Sequence, residues 1–221
     1  MNNKQTPTRV LVSYLKGGVG KSTSVMMLAF AWARQGKNVL AIDADAGTQG
    51  VTDWASRYYG VHTDGELPFD VFQWSPRMGL LAQFVREKER ETMPDITILD
   101  VGGEAPEVLS QAAILASAVV GPTQPTQADL SRMASTHAVI QKANPETQFF
   151  VSLNRVSYVG KGAARDAREM LAEQGLDVLE TEVENSRGSY ADVWGRVPAH
   201  LGAYRLMAQE LIGKINKTRR S

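Results

Sequence analysis

Two lysines, Lys16 and Lys21, stand on either side of a glycine-rich run in YLKGGVGKST, residues 14–23. Gly20-Lys21-Ser22 has the ending of a phosphate-binding loop, and it lies between an apolar run and a helix-like segment. Glycines let backbone N–H groups converge on phosphate oxygens, and the helix that follows adds the positive end of its dipole. The residues that would surround a phosphate are Gly17, Gly18, Val19, Gly20, Lys21, Ser22 and Thr23. Lys21 would reach the β- and γ-phosphates, and the Ser22 hydroxyl would ligate Mg²⁺. Three carboxylates complete the set: Asp43 and Asp45 after NVLAI, and Asp100 after DITIL. One departure stands out. The pattern GxxxxGK[ST] requires glycine at position 15, where this chain has Leu15, and Lys16 follows at once.

These residues need strands and helices to carry them. Arg9–Leu15 reads as a buried strand, and Ser22–Gln35, closed by Gly36, as a helix. Further strands are predicted at 38–42, 69–74, 95–99, 118–121, 147–153 and 177–183. Further helices are predicted at 80–91, 106–115, 130–142, 163–174 and 203–215. Short apolar strands alternating with helices of ten to fifteen residues imply βαβ units on a parallel sheet. A chain of 221 residues is expected to form one α/β domain over 1–221, with a flexible N-terminus at 1–8 and a basic tail at 216–221. In such sheets ligands bind beyond the carboxyl ends of the strands, where Asp43, Asp45 and Asp100 fall.

Composition narrows the chemistry. There is no cysteine, which excludes disulfides, thiolate metal sites, iron–sulfur clusters and thiol nucleophiles. His62, His137 and His200 lie far apart without ligand spacing. The N-terminal residues lack a signal-peptide pattern, and no apolar run approaches about 18 residues, so a cytoplasmic protein is expected. Formal net charge is zero, but residues 186–221 hold seven basic side chains against Asp192 and Glu210, a local excess of +5. The basic residues are Arg187, Arg196, Arg205, Lys214, Lys217, Arg219 and Arg220.

KGGVGKST resembles the deviant Walker A motif of the ParA/MinD family of ATPases, and the likeness extends from about Arg9 to Ile215. The resemblance implies a three-layer P-loop NTPase fold with a mostly parallel sheet, ATP or ADP with Mg²⁺ as cofactors, and slow hydrolysis of ATP. It makes Lys16 the signature lysine, which in relatives crosses a dimer interface to the partner's nucleotide. IDADAGTQG (residues 42–50) is similar to the family's DxDPQG segment, with Ala46 in place of proline and Gly47-Thr48 displacing Gln49. By that match Asp45 orients or activates the attacking water and contacts the Mg²⁺ shell; spacing alone does not choose between Asp43 and Asp45. ITILDVGGEAP (residues 96–106) resembles Walker B and switch II, with Asp100 at the Mg²⁺. GPTQPTQADLSR (residues 121–132) resembles the family's PxxPxxxDL loop. Asn154 is similar to the strand end leading to the adenine pocket, although asparagine there equally caps a turn. Arg187, in the segment 185–187, matches a loop that closes over the base.

Within the family, the missing cysteines exclude the nitrogenase-reductase type, and Leu206, Met207, Leu211, Ile212 and Ile215 read as core-facing, not as a membrane helix. RGSYADVWGRVP (residues 187–198) is similar to a segment of small ParA partition proteins. The implied partners are a second copy of the chain when ATP is bound, non-specific DNA on a nucleoid, and a ParB-type activator bound to a plasmid or chromosome centromere. No membrane partner is expected. The alternative within the resemblance is a MinD-like or orphan positioning ATPase acting on a membrane or another protein cargo.

Overall fold

Alternation of side chains along the central strands divides the core into two layers. In the first strand, β1 (Thr8–Ser13), Val10 and Val12 point into one layer and Leu11 into the other. Val39 and Ala41 of β2 (Val39–Asp43), and Ile96 and Ile98 of β4 (Ile96–Val101), join the first layer. Leu40, Ile42, Leu99 and Val101 join the second. Strands buried on both faces are what a parallel sheet covered by helices requires. The computed structural model describes residues 6–62, 66–103, 105–157, 162–185 and 194–218.

The remaining strands are β3 (Asp70–Gln73), β5 (Ala118–Thr123), β6 (Gln148–Val156), β7 (Asp177–Val178) and β8 (Val183–Glu184). The sheet order is β3-β2-β4-β1-β5-β6-β7, with β8 continuing along β6 beyond β7, and every recorded pairing is parallel. All the carboxyl ends therefore open on one edge of the sheet. The first layer is covered by α1 (Lys21–Ala33), α2 (Gly50–Val61) and α8 (Ala203–Thr218). The second is covered by α3 (Leu81–Thr92), α4 (Pro106–Leu115), α6 (Met133–Ala143) and α7 (Gly162–Glu173). A short turn of helix, α5 (Gln127–Leu130), precedes α6.

Helix α1 is buried on nearly every side because it lies beneath α2 and α8. Its Trp32 indole donates to the Ala208 carbonyl at 3.2 Å, and Ser24 and Tyr204 share a hydroxyl hydrogen bond at 3.1 Å. Those contacts fix the helix whose first turn carries Lys21 and Ser22.

Three differences from the sequence reading are local. Helix α2 was not anticipated, although Val51, Trp54, Ala55 and Tyr58 form its buried stripe. The expected strand 177–183 is divided in two, because the Glu210 carboxylate of α8 accepts from the Glu180 and Thr181 backbone N–H groups at 2.7 and 3.0 Å. Met207, Leu211 and Ile215 of α8 face the core and Ile212 packs at its edge, but Leu206 is half exposed. Strand β1 begins at Thr8, and α8 runs through Thr218.

Candidate nucleotide site

The loop between β1 and α1 turns on Gly18 and Gly20, whose φ values of 76° and 92° lie where only glycine is unstrained. Gly20 precedes the first residue of α1, so the loop leads directly into the positive end of that helix. Lys21 is buried and its ammonium donates to the Lys16 carbonyl at 3.1 Å, closing the loop on itself. Asn154 reaches across from β6: its amide donates to the Val19 carbonyl at 3.4 Å and the Ser24 hydroxyl at 3.3 Å. Its oxygen accepts from Ser152 at 2.9 Å, so this side chain is engaged with the phosphate loop itself. Arg187 lies outside the described residues.

Lys16 sits at the loop's outer edge, where its ammonium pairs with Asp129 of α5. Asp129 also accepts from the Thr126 hydroxyl at 2.6 Å, and its own backbone N–H donates back to Thr126, capping α5. Burial pushes the Asp129 carboxyl up, but Lys16 and Thr126 outweigh it and hold the group below its usual value. The Tyr14 hydroxyl donates to the Asp129 carbonyl, and Arg132 donates to the Leu15 carbonyl at 3.2 Å. The 121–132 segment matched by motif thus grips the loop through a residue, Asp129, that sequence reasoning quoted but gave no role.

Across the site, β2 and β4 deliver three carboxylates. Asp43 is buried and accepts from the Asp45 and Thr52 backbone N–H groups at 3.1 and 2.8 Å. Burial raises its carboxyl, and those two donors offset part of the rise. Asp45 accepts from Gly47 N–H at 2.9 Å, Thr48 N–H at 3.2 Å and the Thr48 hydroxyl at 2.8 Å. A side chain at Gly102 would collide with the Asp45 carboxylate, and one at Gly50 with Ser22. Both glycines let neighbouring elements close on these side chains.

Asp100 is different in kind. It is fully buried, and neither carboxylate oxygen has a hydrogen-bond partner among the described residues. Desolvation is the main reason its carboxyl is pushed up to about 7; Asp43 and Asp45 push the same way, while Ser22 and Lys21 oppose them. A buried carboxylate with no hydrogen bond closed to it, and with Ser22 and Lys21 near enough to favour its charge, could hold a cation. The nearby oxygen donors Ser22 and Asp45 suit a hard ion such as Mg²⁺. No cluster of three or more histidine or acidic side chains in metal-binding arrangement occurs among the described residues. Mg²⁺ does not require one, since it usually keeps water and substrate phosphate as ligands.

A glycine-bent loop at a helix start, with a buried aspartate at the end of the adjacent parallel strand, defines a P-loop nucleotide-binding protein of the α/β class. A family profile described as the CobQ/CobB/MinD/ParA nucleotide binding domain matches residues 10–189, and the chain belongs to that family. Among solved structures, it resembles a plasmid partition protein of Borrelia burgdorferi B31 bound to AMPPNP. That match has a TM-score of 0.72 and 16% identity, over 95% of this chain and 100% of the other. MinD in the MinC:MinD complex of Aquifex aeolicus matches with a TM-score of 0.73 and 16% identity, over 93% and 96% of the two chains. Cobyrinic acid a,c-diamide synthase of Mycobacterium smegmatis, with ADP and magnesium bound, matches with a TM-score of 0.65 and 20% identity, over 94% of each chain. No curated protein sequence matches. At these identities the structural matches establish a shared P-loop NTPase fold of the ParA/MinD type.

Proposed function

We propose that this chain is a ParA-type ATPase that hydrolyses ATP to ADP and phosphate, with Mg²⁺ required and turnover slow. The observation that carries this reading is Asp100, a buried carboxylate with no closed hydrogen bond among the described residues, near Lys21 and Ser22 at the mouth of a phosphate loop. Lys21 leaves the Lys16 carbonyl to hold the β- and γ-phosphates, beside the N–H groups of Gly17, Gly18, Val19 and Gly20. Ser22, Asp100 and Asp45 are the residues that would hold Mg²⁺, which would neutralise charge on the phosphates. Asp45 accepts a hydrogen bond from the attacking water and aims it at the γ-phosphorus. The water oxygen bonds to phosphorus, the bond to the bridging oxygen breaks with its electron pair left on ADP, and both water protons end on the released phosphate.

Lys16 lies within reach of its own Asp129, and we assign its working position to the nucleotide of a second copy of the chain. There it stabilises charge that develops on the transferring phosphoryl group. ATP then selects the dimer, and the dimer binds DNA without sequence preference through exposed basic residues. Arg196, Arg205 and Lys217 are exposed, whereas Lys214 is paired with Asp177 at 2.8 Å; Arg187, Arg219 and Arg220 lie outside the described residues. A ParB-type partner on a plasmid or chromosome cargo would stimulate hydrolysis and release. No described helix is long and apolar enough to cross a membrane, and the apolar face of α8 is committed to the core.

The test is binding to random-sequence DNA with and without ATP over a salt series, run beside anionic liposomes. Binding that requires ATP and weakens steeply with salt supports the reading. Liposome binding without DNA binding would instead favour a MinD-like positioning role.

A further inference from the structure

The segment 46–48 is where this chain departs from the DxDPQG pattern, and its residues are bonded to the carboxylate proposed to aim water. Gly47 and Thr48 both direct backbone N–H groups at Asp45 Oδ1, and the Thr48 hydroxyl donates to Oδ2 at 2.8 Å. A carboxylate offers about four lone-pair positions. Among the described residues three are occupied, which leaves one, on Oδ2, beside the hydroxyl of Thr48. Asp45 is buried while Thr48 is exposed, so this bond ties the carboxylate to a residue at the surface.

The three bonds do different work. The two backbone donors, with the close approach of Gly102 on another side, fix where the carboxylate stands. Among the described residues the hydroxyl bond is the one contributed by a side chain, and it takes one of the two lone pairs of Oδ2, the oxygen left for water. We infer that Thr48 is a positioning residue that acts as a brake, holding Oδ2 of Asp45 and slowing hydrolysis without affecting nucleotide binding. This inference rests on the reading of Asp45 as the water-aiming carboxylate. Its physical content is that an aspartate loop lengthened by Gly47 and Thr48 has gained an internal donor aimed at its own functional oxygen.

The experiment compares wild type, Thr48→Val, Thr48→Ser and Asp45→Asn in full-length protein with Mg²⁺ and ATP. Steady-state kcat and KM are measured, together with hydrogen–deuterium exchange of the 46–49 backbone without nucleotide or metal. Valine keeps the shape and removes the donor, so kcat rises about fivefold, the worth of roughly 1 kcal/mol of hydrogen bonding, and KM stays unchanged. Serine restores the hydroxyl and returns kcat toward the wild-type value. Exchange of the Gly47 and Thr48 amides stays slow in Thr48→Val, because the backbone bonds to Oδ1 remain. An unchanged or lowered kcat in Thr48→Val, or loss of amide protection there, overturns the brake. Wild-type turnover that survives in Asp45→Asn is a separate failure: it removes Asp45 from the reaction, and the brake falls with that reading.

Discussion

Two carboxylates bound to opposite ends of β4 differ in one respect, and the difference separates architecture from function. Near its start, Glu89 of α3 takes two bonds from the Arg9 guanidinium at 2.8 and 2.7 Å and a third from Thr97 at 2.8 Å. Near its end, Asp100 is buried more completely and has none among the described residues. Both lie on or against the same strand, three positions apart at Thr97 and Asp100, on opposite faces of the sheet. The first is a finished ion pair that joins β1, α3 and β4. The second is a carboxyl that the fold has desolvated without closing a hydrogen bond to it among the described residues.

Arg9→Ala tests the finished end and carries the largest effect. It strands the Glu89 charge and should cost about 3 kcal/mol of stability in urea denaturation, with ATP affinity unchanged in the surviving folded protein. A parallel loss of ATP affinity would join the two ends and break the comparison. Asp100→Asn tests the open end with the opposite sign. In Mg²⁺-free buffer at pH 8 it should raise stability by about 1 kcal/mol, because a buried charge is removed and only part of the gain is lost to an unpaired amide. The same variant should lose the Mg²⁺-dependent rise in melting temperature.

The pH dependence sharpens the same contrast. The Asp100 carboxyl is raised to about 7 from an ordinary 3.8, so between those values the folded chain holds a proton that the unfolded chain has released. Its contribution to stability is full below the unfolded value and is lost as pH rises through about 7. Melting curves without nucleotide or metal should show that decline between about pH 4 and pH 7 and a plateau above it. Added Mg²⁺ should stabilise more at pH 8 than at pH 6, since it competes with the proton for one site. A smaller effect belongs to Asp129→Asn, which weakens the internal hold on Lys16. It should strengthen ATP-dependent self-association roughly threefold, the scale of a partly exposed ion pair, as read by sedimentation.

Much of this was legible in the sequence, for a physical reason. Strands buried on both faces must be continuous apolar runs, so β1, β2, β4 and β5 stand out and end where carboxylates or glycines begin. The loop declares itself because close approach to phosphate demands glycine at 18 and 20. Helix α2 was hidden because its buried stripe of Val51, Trp54, Ala55 and Tyr58 is diluted by polar residues and begins without a capping side chain. Long-range partners were hidden altogether. Nothing in the order of residues shows that Asn154 braces Val19, that Asp129 holds Lys16, or that Glu210 breaks a strand thirty residues away. Those contacts exist only once the sheet has assembled.

Lys16 is where the two kinds of residue meet, an ion-pair partner in the single chain and, on this account, half of a site completed by another copy. Light scattering on size-exclusion eluates with Mg²⁺ and a non-hydrolysable ATP analogue tests that directly. The account predicts a dimer for wild type and a monomer that still holds the analogue for Lys16→Ala. Equal dimerisation of the Lys16→Ala protein, or a wild type that stays monomeric with analogue bound, would contradict it.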